Sequence, residues 1–495
     1  MISLGKERKG KERKVYLNYL LLLLLIFPIV FLKLGSFHMR WWDESMFAVN
    51  SYEMMHNGKW FSLYYDNFPD YFNTKPPLTS WLQILSVKCF GYTEFAVRLP
   101  SAMAACCSVM ILFRFTAKHF DYLWAWIAAL ILLTSYGFIH YHTARTADSD
   151  SLLTLFVLVS NLYFIEFILT KEKRNVLLFF LFITLAVSIK LYAGLLFVPA
   201  YIIVLIYKKH FKEFIFNWYF VGGILLFIFS IGSLLYLREL DSPGYLNEVL
   251  FKDAGRMATV VENHSQSTFF YLDNLFNLRF SIWSSFFVLG ALFIFFKDEN
   301  QYTNILKIVF WFIVVYLTII TISVTKLDWY DMPLFPYLAL IAAYPIYYII
   351  QNFNKGEKQL SVVKKSAIVA LIFLYPYLIQ FSKSQGNSIS DGEIKLESKE
   401  MYLFNKIKKN ESLNGLKVFH TGWNGSLLFY KYKLAEQDQQ IEIIYDISKI
   451  KVNDKVLVNN DSLKTILKNT FDCISIDEVY NAEVFKINAK KKIKH

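Results

Sequence analysis

Apolar runs separated by short polar breaks dominate the chain as far as residue 381. A helix that crosses a bilayer needs roughly 20 consecutive apolar residues. Eleven runs approach that length: Val15–Leu34, Phe95–Phe115, Leu123–Phe138, Leu152–Leu169, Val176–Ser188, Leu191–Tyr207, Phe216–Leu237, Ser281–Phe296, Ile305–Val324, Leu334–Ile350 and Ala367–Phe381. The two runs within 176–207 are read as short passes turning near Lys190-Leu191-Tyr192. The basic stretches before and after them, KEKR (171–174) and YKKHFK (207–212), then fall on the same side. Basic breaks on alternate sides are what the positive-inside rule asks of a multi-span protein. The opposite-side connections are residues 35–94, which form a large loop, and the shorter 139–151, 238–280 and 325–333.

Beyond Phe381 the pattern changes. Short strand-like runs appear at 416–422 (LKVFHTG), 441–447 (IEIIYDI), 455–460 (KVLVNN) and 483–487 (EVFKI), with a helix-like SLKTILKN at 462–469. Residues 382–495 therefore read as a small soluble α/β domain. An odd number of spans puts that domain outside, with the basic residues 1–14 in the cytoplasm and a transmembrane domain over 15–381.

Composition agrees with this class. The chain of 495 residues is 55% hydrophobic and 18% aromatic, with mean hydropathy +0.35. A soluble chain would expose too much apolar surface. The formal net charge of +12 is then a property of cytoplasmic loops and not a nucleic-acid footprint. Residues KERKGKERK followed by the first apolar run have the charge order of a signal peptide, but the run is too long and no small-residue cleavage site follows. A retained signal anchor is expected. The four cysteines, Cys89, Cys106, Cys107 and Cys473, have no CxxC spacing, which argues against a zinc site or a disulfide framework. There is no glycine-rich phosphate loop and no internal repeat.

The unusual polar residues gather on the outer side of this topology. They are Asp43 and Glu44 in RWWDESMFA; Lys75 in NTKPPL; Arg145, Asp148 and Asp150 in HTARTADSD; Lys190; Arg256 and His264; and Lys326 and Tyr330 in TKLDWYDMP. Charges at membrane depth are costly and usually functional or paired. Each also has a structural reading. Asp43 suits the N-cap of a helix over SMFAVNSYEMMHNG. Lys75 suits a snorkelling lysine before a Pro-Pro helix start. Arg145 and Asp150 suit a salt bridge capping the next span, and Trp41-Trp42 an interfacial aromatic belt. His140, His142 and His264 are too scattered for a metal triad.

The ordered set WWDE, KPPLTSWL, GYTEFAVRLPSA, ARTADSDSLLT, SIKLYAGLLFVP and TKLDWYDMPLFP resembles the GT-C superfamily of membrane glycosyltransferases. It is most similar to the bacterial branch related to protein O-mannosyltransferases and the lipid A aminoarabinose transferase, over roughly residues 35–340. The resemblance implies an α-helical multi-span membrane protein with a small extracytoplasmic α/β domain. It implies an inverting transferase that moves a sugar from a polyprenyl-phosphate donor to a lipid, glycan or protein acceptor on the outer face of the cell's inner membrane. Asp43 is then the catalytic carboxylate, and Asp150 a second acid that meets the donor sugar or orients an arginine. Lys75, Arg256 and Tyr330 are assigned to the donor phosphate. Glu44, Arg145, Asp148, His264 and Lys326 complete the substrate-binding set. The aminoarabinose-transferase branch often has an acid just before the KPP lysine, where this chain has Thr74, so neither a metal nor another cofactor is expected. The rival reading is a transporter or flippase for a lipid-linked sugar. It would use the same phosphate-binding cations but needs no catalytic carboxylate, and it predicts paired interruptions in two inverted halves that this sequence lacks.

Overall fold

The computed structural model describes residues 2–140, 142–255, 259–260, 264–296, 299–352, 361–386 and 395–491. It divides into two compact units. A helical unit comprises Met1–Leu32, Tyr71–Thr79 and Pro100–Gly386. A mixed unit comprises Lys33–Asp70, Ser80–Leu99 and Asn387–His495. The outer loop therefore packs largely with the C-terminal domain, a grouping the linear division into 15–381 and 382–495 did not anticipate.

All eleven apolar runs are helical, but they are not equivalent. Seven helices are long and apolar enough to cross a membrane, and an eighth span arises if the pair Phe270–Arg279 and Ser281–Phe296, bent by 116°, counts as one. Of the three remaining runs, Val15–Val30 is the apolar part of the helix Ile2–Val30, and the other two form the shorter helices Tyr122–Leu133 and Val198–Tyr207. Among the described residues, seven to eight helices thus qualify as spans, against the eleven expected. The run at 123–138 is interrupted at Thr134, whose amide caps the helix Tyr122–Leu133 on Leu130 O. The run at 191–207 begins as the 3-10 turn Leu191–Leu195 before the helix Val198–Tyr207.

The surface of this unit explains its composition. Helix Trp218–Asp241 has only 11% of its apolar window buried, and helix Val362–Gln385 only 17%. Phe229 and Leu225 stand exposed on the first and Leu371 and Tyr375 on the second. Water would not tolerate such faces, and hydrocarbon does. Inside, the helices Asp150–Thr170, Val198–Tyr207 and Gln301–Ile322 meet around Phe164, Tyr201 and Phe312. The buried amide of Asn161 donates to Tyr337 Oη at 2.7 Å and accepts from Tyr201 Oη. No polar atom of that side chain is then left bare in the apolar core.

The mixed unit starts with helix Asp43–Asn57, ended by Gly58 at φ 69°. Strands β1 (Tyr64–Tyr65) and β2 (Phe68–Pro69) follow as a hairpin. Its turn residues Asp66 and Asn67 both have positive φ, 52° and 69°, as a two-residue hairpin turn requires. The C-terminal sheet holds β3 (Leu416–Phe419), β4 (Glu442–Ile444), β5 (Lys455–Val458), β6 (Phe471–Val479) and β7 (Ala482–Lys490), in the order β4-β3-β5-β7-β6. β3 pairs in parallel with β4 and β5, while β7 runs antiparallel to β5 and β6. The helices Ser398–Lys408, Gly425–Ala435 and Asp461–Thr470 complete the α/β domain. Phe419, Ile444, Val456, Leu467 and Phe485 form its core.

Candidate active site

In the helical unit, Asp150 opens the helix Asp150–Thr170 and Lys190 closes the helix Arg174–Lys190. The acid sits at a positive dipole end and the base at a negative one, so each is favoured where it stands. Lys190 Nζ reaches Asp150 Oδ1 at 2.8 Å and Oδ2 at 3.1 Å, and lies 4.9 Å from the centre of the Tyr330 ring. Two of the expected residues, Asp150 and Tyr330, are thus brought together by a lysine. Arg145 reaches the first helix. Its guanidinium donates to the carbonyls of Ile29, Val30 and Leu32 at 2.7, 3.0 and 3.0 Å. It caps the C-terminal end of the first helix through these bonds.

Asp148 pairs with His142, Nδ1 to Oδ1 at 3.1 Å, and its main-chain carbonyl accepts from Ser101 Oγ at 2.6 Å. The His142 ring stacks on Trp329 at 3.7 Å. Asp148 Oδ2 is buried with no hydrogen-bond partner among the described residues. Asp148 and His142 could each offer one ligand atom to a metal ion.

Lys75 lies in the segment Tyr71–Thr79, just ahead of Pro76-Pro77 and the helix Leu78–Phe90. Arg238, only 1% exposed, fixes that segment. Its Nη1 donates to Lys75 O and its Nη2 to Asn73 O, both at 2.6 Å. Tyr245 Oη donates to Thr74 O at 2.8 Å, and the guanidinium lies 4.0 Å from the Tyr245 ring centre. Three successive carbonyls are thus held, and the Lys75 side chain leaves from a rigid backbone. Arg238 stands at the end of the apolar run SIGSLLYLREL, where a sequence reads it as an interfacial charge. Its position one turn before the end of the helix is the only signal it gave.

Lys326 and His264 adjoin through the main chain, Lys326 N to His264 O at 3.0 Å. The Lys326 ammonium is buried and donates to Ser323 O at 2.7 Å, at the end of helix Gln301–Ile322. That is a helix-capping position. His264 Nδ1 has no hydrogen-bond partner among the described residues. Arg256 lies outside the described residues.

In the mixed unit, the acid pair divides. Glu44, 1% exposed, receives Arg98 Nε on Oε1 at 2.7 Å and Nη2 on Oε2 at 2.9 Å. The Arg98 guanidinium also donates to the carbonyls of Leu34, Phe37 and His38, and Arg40 N donates to Glu44 Oε2 at 2.9 Å. This bidentate pair, with its remaining donors satisfied, ties the loop 34–44 to the GYTEFAVRLP segment. Glu44 thereby braces this loop through its hydrogen bonds. Asp43 is half-buried and is the first residue of its helix. The cap position belongs to Trp42, whose side chain makes no capping bond. The capping reading of Asp43 therefore does not apply.

The two tryptophans also depart from expectation. Trp41 Nε1 donates to Glu400 at 3.1 Å, and its amide donates to Glu397 at 3.2 Å. Trp42 stacks on Trp423 at 5.1 Å. They are engaged with the C-terminal domain and do not stand as a free aromatic belt. Around them, burial works against the charge of Glu397, but His38 and Arg40 outweigh it and hold its carboxyl below the usual range. Burial raises Glu400.

Comparison with known proteins follows this geometry. Residues 74–234 match the family described as dolichyl-phosphate-mannose-protein mannosyltransferase. An uncharacterised protein of Aquifex aeolicus is 25% identical over 366 residues, which is 73% of this chain and 68% of that one. The undecaprenyl phosphate-alpha-4-amino-4-deoxy-L-arabinose arabinosyl transferase of Pseudomonas savastanoi is 33% identical over 147 residues, or 30% of this chain, and the match spans only 26% of that relative's length. Among solved structures, ArnT from Cupriavidus metallidurans bound to undecaprenyl phosphate superposes with a TM-score of 0.67 at 14% identity, covering 94% of this chain and 97% of that one. The chain thus shares the ArnT fold over nearly its whole length, and its segment 74–234 matches the mannosyltransferase family, in keeping with the GT-C superfamily that its motifs resemble.

Proposed function

We propose that the chain transfers a sugar from a polyprenyl-phosphate donor to an envelope acceptor on the outer face of the cytoplasmic membrane, with inversion at the anomeric carbon. The observation that carries this reading is the division of the acid pair. Glu44 is paired with Arg98, and Asp43, one residue away, opens the next helix at a half-buried position. An acceptor hydroxyl attacks the anomeric carbon, and the bond from that carbon to the phosphate oxygen breaks. Asp43 takes the hydroxyl proton, and the polyprenyl phosphate leaves as a dianion. The transition state is oxocarbenium-like.

Developing charge on the leaving phosphate calls for fixed cations where water is scarce. Lys75, on its clamped backbone, Tyr330 and Arg256 are proposed for that task. Lys190 adds a cation beside Tyr330 that the motif assignment had left without a role. The undecaprenyl phosphate in the ArnT structure and the donor named for the Pseudomonas relative support a polyprenyl-phosphate donor.

The test is mass spectrometry of envelope glycolipids, glycans and glycoproteins from wild-type, deletion and Asp43→Asn-complemented cells. Loss of one sugar from one species in both mutant strains names the sugar and acceptor together. Full restoration by Asp43→Asn would remove Asp43 from the chemistry and favour the flippase reading.

A further inference from the structure

Trp42 has φ 62° and ψ −125°, a backbone conformation that residues with side chains rarely adopt. Such a conformation persists only where its surroundings over-determine it, and it clusters at functional sites. Here the constraints come from within the mixed unit, and most come from the C-terminal domain. The Trp42 ring stacks on Trp423 (5.1 Å, 18°), and Trp423 stacks in turn on Tyr65 (4.9 Å, 27°). Trp41 is held by Glu397 and Glu400, and Met39 N donates to Tyr430 Oη at 2.9 Å.

The Trp42 carbonyl accepts from Ser45 Oγ at 3.0 Å and from Met46 N at 2.9 Å. Ser45 faces Gly425, where an added Cβ would come within 2.8 Å of its Oγ and 3.0 Å of Trp423 Nε1. The loop that bears Trp423 is itself braced. Lys399 Nζ meets His420 Nδ1 at 2.9 Å, His420 Nε2 donates to Trp423 O at 2.7 Å, and Tyr65 Oη donates to Asn424 Oδ1 at 2.6 Å.

We infer that the C-terminal α/β domain is a positioning element for the transfer reaction: Trp423, seated on the Gly425 helix start, locks Trp42 in its strained conformation and so aims the next residue, Asp43. Trp423 touches no reacting atom in this scheme and acts through the Asp43 backbone. The inference rests on the proposed role of Asp43, so its test has one arm that needs no activity.

That arm is amide hydrogen exchange of the full chain in nanodiscs, comparing wild type, Trp423→Ala, Trp423→Phe and Gly425→Ala. In Trp423→Ala and Gly425→Ala, residues 40–47 are expected to exchange about tenfold faster while β5 and β7 keep their protection. Trp423→Phe, which keeps a stacking ring, is expected to stay near wild type.

The second arm measures kcat and donor KM with undecaprenyl-phosphate aminoarabinose and undecaprenyl-phosphate mannose. Trp423→Ala and Gly425→Ala should lose about 10- to 100-fold in kcat, the scale of a misplaced catalytic group. Donor KM should hold within about twofold, and Trp423→Phe should recover most of the rate. Unchanged exchange at 40–47 in both Trp423→Ala and Gly425→Ala overturns the inference. So does a loss confined to donor KM, or a Trp423→Phe enzyme as slow as Trp423→Ala. If Trp423→Ala also loses protection in the sheet, Gly425→Ala, which keeps every ring, decides between lock and no lock. Wild-type protein that transfers from neither donor sinks the functional reading, while the exchange arm still reports on the lock.

Discussion

Two loops carry the residues assigned to chemistry, and they are held by different physics. The Lys75 loop is fixed by charge. One buried guanidinium and one phenol satisfy three consecutive carbonyls, all from helices of the same unit. The Asp43 loop adds shape to hydrogen bonds, with stacked rings and a close-packed glycine on one side and the Glu44–Arg98 pair and the bonds of Met39 and Trp41 on the other. Directional hydrogen bonds suit a segment that must stay put while an anion comes and goes nearby. Stacked aromatic surfaces suit a segment whose direction matters more than its charge. The contrast predicts that damage to the first loop appears in donor binding and damage to the second in turnover.

The sharpest way to break this contrast is Asp43→Asn. It should lower kcat by about 10²- to 10⁴-fold, the range of a lost general base, with donor KM unchanged in steady-state assays. An unaltered kcat would leave the second loop without chemistry to aim. Glu44→Gln comes next. It strips Arg98 of its ion pair in a buried site, and breaking such a pair costs about 3–5 kcal/mol. Thermal denaturation of the purified protein should show it, and the loss should be much smaller for Glu44→Gln combined with Arg98→Met.

Arg238→Lys tests the other loop. Lysine cannot span the two carbonyls, so about 1.5–3 kcal/mol of charge-assisted hydrogen bonding is lost. Donor KM should rise about tenfold with kcat near wild type; the reverse pattern would erase the distinction between the loops.

The smallest effect is a pH slope in the mixed unit. Burial, aided by the Lys399 ammonium, pushes His420 down to about 4. The unfolded chain, with an ordinary histidine, then takes up a proton between about pH 6.5 and pH 4 that the folded chain refuses. Stability is therefore fully present above about pH 6.5 and falls as pH drops through this window, by at most about 1.4 kcal/mol per pH unit. His420→Gln should flatten melting temperature against pH there; an unchanged slope would assign it to other groups.

Much of this molecule was legible in its sequence. The apolar runs marked every long helix, because a helix facing hydrocarbon must be apolar over its whole length. What misled was the inference from apolar length to complete span. At 123–138 the break at Thr134 turns on local hydrogen bonding that hydropathy does not register. In the C-terminal domain four strands were visible by alternation, and β6 was not. As an edge strand with a mostly exposed burial pattern, it has little hydrophobic period to read.

For the site, chemistry was more legible than support. Asp43 and Lys75 stood out by motif. Arg238 gave almost no signal, since an arginine near the end of an apolar run looks the same whether it snorkels or clamps. The contacts of the RWWDE tryptophans were hidden for a related reason. A tryptophan beside a span has the same local sequence whether it meets lipid or a ring that lies far along the chain.

That separation has a consequence for how the protein comes into being. Met39 and its partner Tyr430 are 391 positions apart. At synthesis rates of about 5–20 residues per second, roughly 20 to 80 s pass between their emergence. The segment ahead of the first acid cannot acquire its final geometry while the ribosome is still making the chain that braces it. The brace is thus complete only once Tyr430 has emerged, and fragments that stop short of it carry Asp43 without the contacts that hold its loop.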